Sequence, residues 1–111
     1  MKALIAVLAF LFLSPAIADE SAAPDGSVHR YLIERSFPAG ALDGLDAATK
    51  EKVNANNATL GVRWLHSYAN SDKTKTYCVY EGPSEDAVRQ AAALNGLPVD
   101  SVMEVPVNLT P

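Results

Sequence analysis

From residue 29 onward, segments rich in aromatic and branched residues alternate with segments of helix formers, and this order constrains the fold most strongly. The pattern predicts a strand at residues 29–37 and a helix at residues 43–60, which contain no proline and close at Gly61. Two strands, at residues 62–68 and 76–81, flank a polar hairpin loop. A second helix begins after Ser84, a good N-cap, and ends before Asn95-Gly96. A last strand is predicted at residues 101–107.

The element order is therefore strand, helix, strand, strand, helix, strand. In the α+β class this order is that of a ferredoxin-like plait, a four-stranded antiparallel sheet of order 4-1-3-2 with both helices on one face. Pro106 fits this topology, because strand four is an edge strand and proline is tolerated there. The other face has no helix, so we expect function or dimerisation on that face.

The first eighteen residues have the composition of an export signal. Lys2 precedes an unbroken apolar run at residues 3–13, and the small-x-small triplet Ala16-Ile17-Ala18 follows. A signal peptidase recognises this order, so we predict a signal peptide at residues 1–18. The apolar run is too short for a membrane anchor, since it rises about 16 Å as a helix against a bilayer core of about 30 Å. Asp19 follows the cleavage site where a lipoprotein would need a cysteine.

Residues 19–28 are polar and lack hydrophobic periodicity, which predicts a disordered leader, and residues 29–111 then form the one folded domain. The chain has thirteen acidic against nine basic residues, so we expect no nucleic-acid partner. Together with the signal peptide, these features predict a periplasmic or secreted protein without a stable membrane anchor.

Cys78 is the single cysteine of the chain, so no internal disulfide can form. For an exported protein of this size that is unusual, because small secreted domains often depend on disulfides. The thiol is therefore buried, paired between chains, or a ligand.

The strand alternation predicts which side chains share the open face of the sheet. One consistent assignment gathers residue types that a divalent transition metal prefers. The candidate ligands are Glu34, His66, Cys78 and Glu104. Their convergence requires a hairpin register in which His66 lies opposite Cys78, and a shift of one residue sends Cys78 to the other face.

Two alternatives to a metal site remain open. Trp64, Tyr68 and Tyr80 form a second candidate set, a dimer seam or ligand face, because aromatic residues with a polar group favour interfaces. The second alternative is a small dimeric enzyme in which His66 acts as acid or base. Against it, the sequence has no phosphate-binding loop, no paired metal-site cysteines and no nucleophile elbow. Cys78 and His66 are also compatible with purely structural roles.

Four segments resemble a family of small bacterial domains whose described representative is a nickel-binding protein. They are YLIERSFP at 31–38, LGVRWLHSY at 60–68, TYCVYEGP at 76–83 and GLPVD at 96–100, followed by Glu104-Val105. The resemblance implies a ferredoxin-like fold, a homodimer and nickel as the metal, but no reaction. We therefore expect an exported nickel-binding protein that serves in scavenging, buffering or delivery.

Overall fold

The computed structural model describes residues 27–111, which form four strands and two helices. The elements are β1 (His29–Ser36), α1 (Ala47–Ala58), β2 (Arg63–Ala69), β3 (Lys75–Gly82), α2 (Glu85–Leu94) and β4 (Ser101–Glu104). A short 3-10 turn, Ala41–Gly44, precedes α1. The predicted signal peptide and most of the predicted leader lie outside the described residues.

The sheet has the order β2-β3-β1-β4, and every neighbouring pair of strands is antiparallel. This is the predicted order 4-1-3-2 read from the other edge, so the ferredoxin-like plait is confirmed. Side chains of β1 alternate between buried and partly exposed positions, with Tyr31, Ile33 and Arg35 on the buried side. We call the side that carries these residues and both helices the covered face, and the other side the open face.

The hydrophobic core lies between the covered face and the helices. It contains Tyr31, Ile33, Val62, Cys78, Tyr80, Ala87, Val88 and Ala91. The described residues 27–111 include no helix with the length and apolar composition that crossing a bilayer requires.

The inward side of α1 differs from the predicted one. The spacing of residues in the predicted helix 43–60 places Ala48, Lys52 and Ala55 on its inner side, but these residues are exposed, whereas Val53 is half-buried and Asn57 is buried. The physical reason is that α1 has few large apolar residues, so its periodicity was weak and two asparagines could occupy the inner side. The predicted start was also early, because residues 41–44 form the 3-10 turn instead of the first helical turn.

The connection between β2 and β3 sets which residues lie opposite one another. The backbone amide of Asn70 donates to the carbonyl of Lys75 at 3.1 Å, which leaves residues 71–74 in the turn. The Asn70 side-chain oxygen accepts from the amides of Thr74 and Lys75, at 3.0 Å each. Lys73 takes a left-handed conformation, with φ of 61°, and closes this turn.

An irregularity at Leu65 interrupts the β2–β3 register. Trp64 lies opposite Tyr80 and His66 lies opposite the next residue, Val79, so Leu65 is an extra residue on β2 without a partner on β3. A β-bulge of this kind changes the face to which the residues on either side of it point. Trp64 therefore shares the covered face with Tyr80, while His66 points to the open face.

Candidate functional site

A row of four side chains crosses the open face from one edge strand to the other. The strand registers pair His66 with Val79, Val79 with Leu32, and Leu32 with Met103. His66 is exposed, and its ring makes an edge-to-face contact with Tyr68 at a centroid distance of 5.4 Å. His66 therefore lies on the open face, as expected.

Cys78 does not lie on the open face, and the expectation that it would do so was wrong. It pairs with Ser67 instead of His66, and it is 6% exposed within the core on the covered face. The four-residue turn after Asn70 explains the difference, since it displaces the register by one residue from the pairing that would join His66 to Cys78. A lone cysteine in an apolar environment is then a buried thiol.

Glu104 lies at the edge of the covered side, which also differs from the expected position. It is opposite Tyr31 in the β1–β4 register, and its carboxylate Oε2 is 2.8 Å from Nδ1 of His29. Glu34 is on the open face but lies 3.6 Å from the ammonium of Lys75, in the row next to that of His66. The four predicted ligands are therefore not gathered at one point, and residues 27–111 contain no group of three His, Cys, Asp or Glu side chains suited to one ion.

A groove of about 510 Å³ runs from the open face to the start of β1. Its lining includes His29 and Glu104 on one side and His66 on the other, with Val105 and the residues after it as a wall. We call this the end groove. It brings two of the predicted ligands, His66 and Glu104, to one depression, together with His29, which the sequence analysis had not selected.

His29 was missed because it stands at the boundary with the predicted leader, where a sequence pattern gives no sign of order. The structure places it in the first position of β1, next to the edge strand β4. The one signal that could have identified it is topological, since the plait puts the start of strand one beside the end of strand four.

Glu81 also lines the end groove, but its carboxylate is already paired with two arginines. Its carboxylate oxygens accept from Arg30 and Arg63, each at 3.0 Å. The hydrogen bond from Arg30, followed by that from Arg63, holds the pKa of Glu81 below its ordinary value. In the part of the chain that the structure describes, His29 and Glu104 are therefore the adjacent donor pair of this groove that no arginine contacts.

The three candidate aromatic residues are divided between the two faces, so the expected aromatic face was wrong. Tyr68 is 67% exposed on the open face, whereas Tyr80 is 4% exposed in the core. Trp64 is partly buried against the core, and its indole nitrogen donates to Ser67 Oγ at 2.8 Å. The bulge at Leu65 is the physical reason, because a regular β2 would have kept Trp64 and Tyr68 on one face.

A family model identifies the family of this chain, and a solved crystal structure shares its fold. A family model described as nickel responsive protein SCO4226-like matches residues 31–105. The crystal structure of SCO4226 from Streptomyces coelicolor A3(2) matches with a TM-score of 0.62 and 22% identity, over 72% of this chain and 99% of that chain. A structural genomics protein, YJCS, matches with a TM-score of 0.48 and 16% identity, over 74% of this chain and 100% of that one. No curated protein matches the sequence.

Proposed function

The chain belongs to the SCO4226-like family of nickel responsive proteins, and we propose that it is an exported protein that binds a divalent transition metal, nickel first, in the end groove. The observation that carries the proposal is the contact between His29 Nδ1 and Glu104 Oε2 at 2.8 Å. Imidazole nitrogen is a good donor for nickel, and a carboxylate supplies both an oxygen donor and a negative charge. His29 Nδ1 and Glu104 Oε2 would be the two atoms that hold the ion, and their hydrogen bond would be lost on binding.

This donor pair fits a metal ion only in part. Both side chains are partly exposed, at 33% and 45%, so a solvated ion can reach them. Two protein donors are fewer than a closed site uses, and His66 across the groove is the next donor of suitable type. We therefore propose that water or a second copy of the chain supplies the remaining ligands.

The open face supports the proposal of a homodimer. Leu32, Val79 and Met103 form an apolar row there, and among residues 27–111 no helix covers that row. The charged side chains beside it are already paired with opposite charges, Glu34 with Lys75 and Glu81 with Arg30 and Arg63. This pairing reduces the like-charge repulsion between two such faces, and two end grooves would then lie close to the same interface.

The role outside the cytoplasm is proposed from the signal sequence and the state of the cysteine. The segment at residues 1–18 supports export, and Cys78 is buried, as suits a thiol in an oxidising compartment. A metal site with partly exposed ligands suits reversible binding, so we propose buffering, scavenging or delivery of the ion instead of a permanent structural metal.

Titration calorimetry with Ni(II) on residues 19–111 tests the proposal. We expect saturable binding, and His29→Ala and Glu104→Gln should each weaken it by about tenfold or more, as loss of a ligand does. Glu85→Gln is the matched control, because Glu85 is a half-exposed carboxylate in an ordinary surface pair with Arg89 at 2.8 Å. An absence of saturable heat from the wild-type protein would refute metal binding.

The contribution of His66 and of a second copy is measured separately. His66→Ala should also weaken Ni(II) binding by about tenfold if its imidazole completes the site. Sedimentation with Ni(II) and with a chelator should show a dimer whose stability rises with the metal. Unchanged affinity in His66→Ala would remove this residue from the site, and a monomer under both conditions would remove the second copy.

A further inference from the structure

The charges of the end groove balance as long as no metal ion is bound. Arg30, Glu81 and Glu104 line the groove, and Glu81 also holds Arg63 beside it. Two arginine cations therefore stand against two carboxylates, and their charges cancel. A metal ion binds the neutral form of imidazole, so His29 adds no charge to a loaded groove. Binding of Ni(II) then leaves two positive charges that no carboxylate among residues 27–111 offsets there.

Arg30 can bind a further anion while it pairs with Glu81. Its NH2 atom donates to Glu81 Oε2 at 3.0 Å, and the other carboxylate oxygen accepts from Arg63 at the same distance. A guanidinium has five N–H donors, and within residues 27–111 the contact with Glu81 is the hydrogen bond that the Arg30 side chain makes. This side chain is 43% exposed, so a solute can reach its other donors.

The proposed metal site leaves part of the coordination of an ion to other molecules. His29 and Glu104 supply two donor atoms, and His66 across the groove is a third candidate. Ni(II) in a tetragonal site of nitrogen and oxygen donors takes at least about four ligands. The end groove, at about 510 Å³, is far larger than an ion and has the size of a small-molecule site. An organic ligand can therefore lie beside the ion and complete its coordination.

We propose that the end groove binds its metal ion together with a small acid that has two or more carboxylates, so that the cargo is a metal–carboxylate chelate. This inference rests on the metal binding proposed above. Carboxylate oxygens of the acid bind the ion, and a further carboxylate of the same acid binds Arg30. The guanidinium presents a fork of N–H groups that matches a carboxylate. The negative charge of the acid offsets the surplus that the ion creates.

The same charges predict that the acid binds with the metal and not before it. Without the ion, an acid in the end groove meets the carboxylates of Glu81 and Glu104 as well as the cation of Arg30, and so gains no net attraction. With the ion present, Glu104 is a ligand and the groove is positive. An acid with one carboxylate can bind the ion but has no second group for Arg30, which is why the inference names acids with two or more.

Equilibrium dialysis of residues 19–111 with radiolabelled nickel, radiolabelled citrate, or both in equal amounts tests the inference. We expect retention of nickel alone, and retention of citrate that is about tenfold or more tighter with nickel than without it. Release of the nickel by citrate, or retention of nickel without citrate, would overturn the inference and leave the proposed metal site intact. Equal retention of citrate without nickel would also overturn it. Retention of nickel under neither condition would refute the metal site and the inference together.

One variant and one control assign the acid to Arg30. Arg30→Gln should weaken the retention of citrate with nickel by about tenfold or more, because it removes a charge-assisted hydrogen bond. The same variant should bind nickel alone at least as tightly as the wild type, since it removes a positive charge near the ion. Arg89→Gln is the matched control and should change neither, because Arg89 also pairs with a glutamate, at 2.8 Å, but does not line the end groove. Citrate retention at the wild-type level in Arg30→Gln would overturn the inference.

Discussion

The two helices lie on the same face of the sheet but bury different kinds of side chain. α2 buries Ala87, Val88, Ala91 and Ala92, whereas the one residue that α1 buries is Asn57. Both helices begin with a side-chain cap, Asp46 accepting from the amide of Thr49 at 2.9 Å and Ser84 accepting from that of Ala87 at 3.1 Å. The difference therefore lies in packing against the sheet and not in how the helices start.

Close approach to the sheet fixes α2 in position. A Cβ at Gly82 on β3 would come within 3.1 Å of Val62 and 3.2 Å of Val88, so glycine allows α2 to pack at this distance. α1 instead meets α2 through amides, because Asn56 donates to Asn95 and Asn95 donates to Asn57, each at 2.9 Å. A small cavity of about 80 Å³, lined by Val53 and Trp64 among others, remains where α1 has no large apolar side chain. This comparison indicates that α2 provides most of the stability of the covered face. A displacement of α1 from the sheet should cost less free energy.

The largest expected difference between the helices is in the free energy of unfolding, and two valine-to-alanine substitutions, one on each helix, measure it. Val88→Ala should lower the free energy of unfolding by about 2 kcal/mol, because it removes two buried methyl groups and leaves a cavity. Val53→Ala on α1 should cost less than about 1 kcal/mol, since Val53 is half-buried beside an existing cavity. Urea unfolding measures both, and equal losses would contradict the assignment of stability to α2.

The amide contact between the helices should have an intermediate effect. Asn57→Ala removes the acceptor for Asn95, but it also removes a buried amide nitrogen that has no hydrogen-bond partner among residues 27–111. The two effects oppose one another, so we expect a net loss of about 1 kcal/mol in urea unfolding. Asn54→Ala is the matched control on the exposed side of α1, and its stability should be unchanged or slightly higher because alanine favours helices.

Access to Cys78 tests directly whether α1 moves. Ala55→Gly, on the exposed side of α1, should raise the rate of thiol labelling under native conditions by about fivefold, since glycine costs about 1 kcal/mol in a helix. Gln90→Gly, at a matched exposed position of α2, should change that rate much less. If both variants accelerate labelling equally, the thiol becomes accessible by global unfolding, and the local opening of α1 is excluded.

The smallest expected effect is a difference in pH response at the helix starts. The amide of Thr49 lowers the pKa of Asp46 below its ordinary value of 3.8. A lowered carboxyl pKa stabilises the folded state above 3.8, and that contribution is lost as the pH falls through the lower folded value. In an NMR titration from pH 6 downward, the Thr49 amide should therefore shift in this acid range. The cap of α2, Ser84, has no titrating group, and Asp46→Asn gives α1 a cap of that kind, so this shift should be lost in that variant. An unchanged Thr49 shift in Asp46→Asn would contradict this account.

The fold could be predicted from sequence because residues that start and end helices and strands mark each element. α2 has the cap Ser84, two acidic residues in its first turn and Asn95-Gly96 at its end, and its observed bounds agree with these signals. The topology then followed from the order of elements and the handedness of crossovers. Weak amphipathicity made α1 the least accurate element, in both its start and its inner side.

The site was harder to predict because it depends on single-residue shifts. The turn length after Asn70 decides the face of Cys78, and the bulge at Leu65 decides that of Trp64. Neither the turn length nor the bulge can be recognised from the alternation of polar and apolar residues along a strand. Arg35 was also unforeseen, because a charged residue in an alternating strand is expected outside unless its partner is known.

Burial of Cys78 has a consequence for the export that we propose. The thiol is covered only once β1, β3 and the helices have assembled, and these contacts join segments distant in sequence. In the export that we propose, an unfolded chain would present an accessible thiol to an oxidising medium until that point. Folding would then have to outpace disulfide formation between chains, and the speed of folding, more than the final stability, would set the yield of usable molecules.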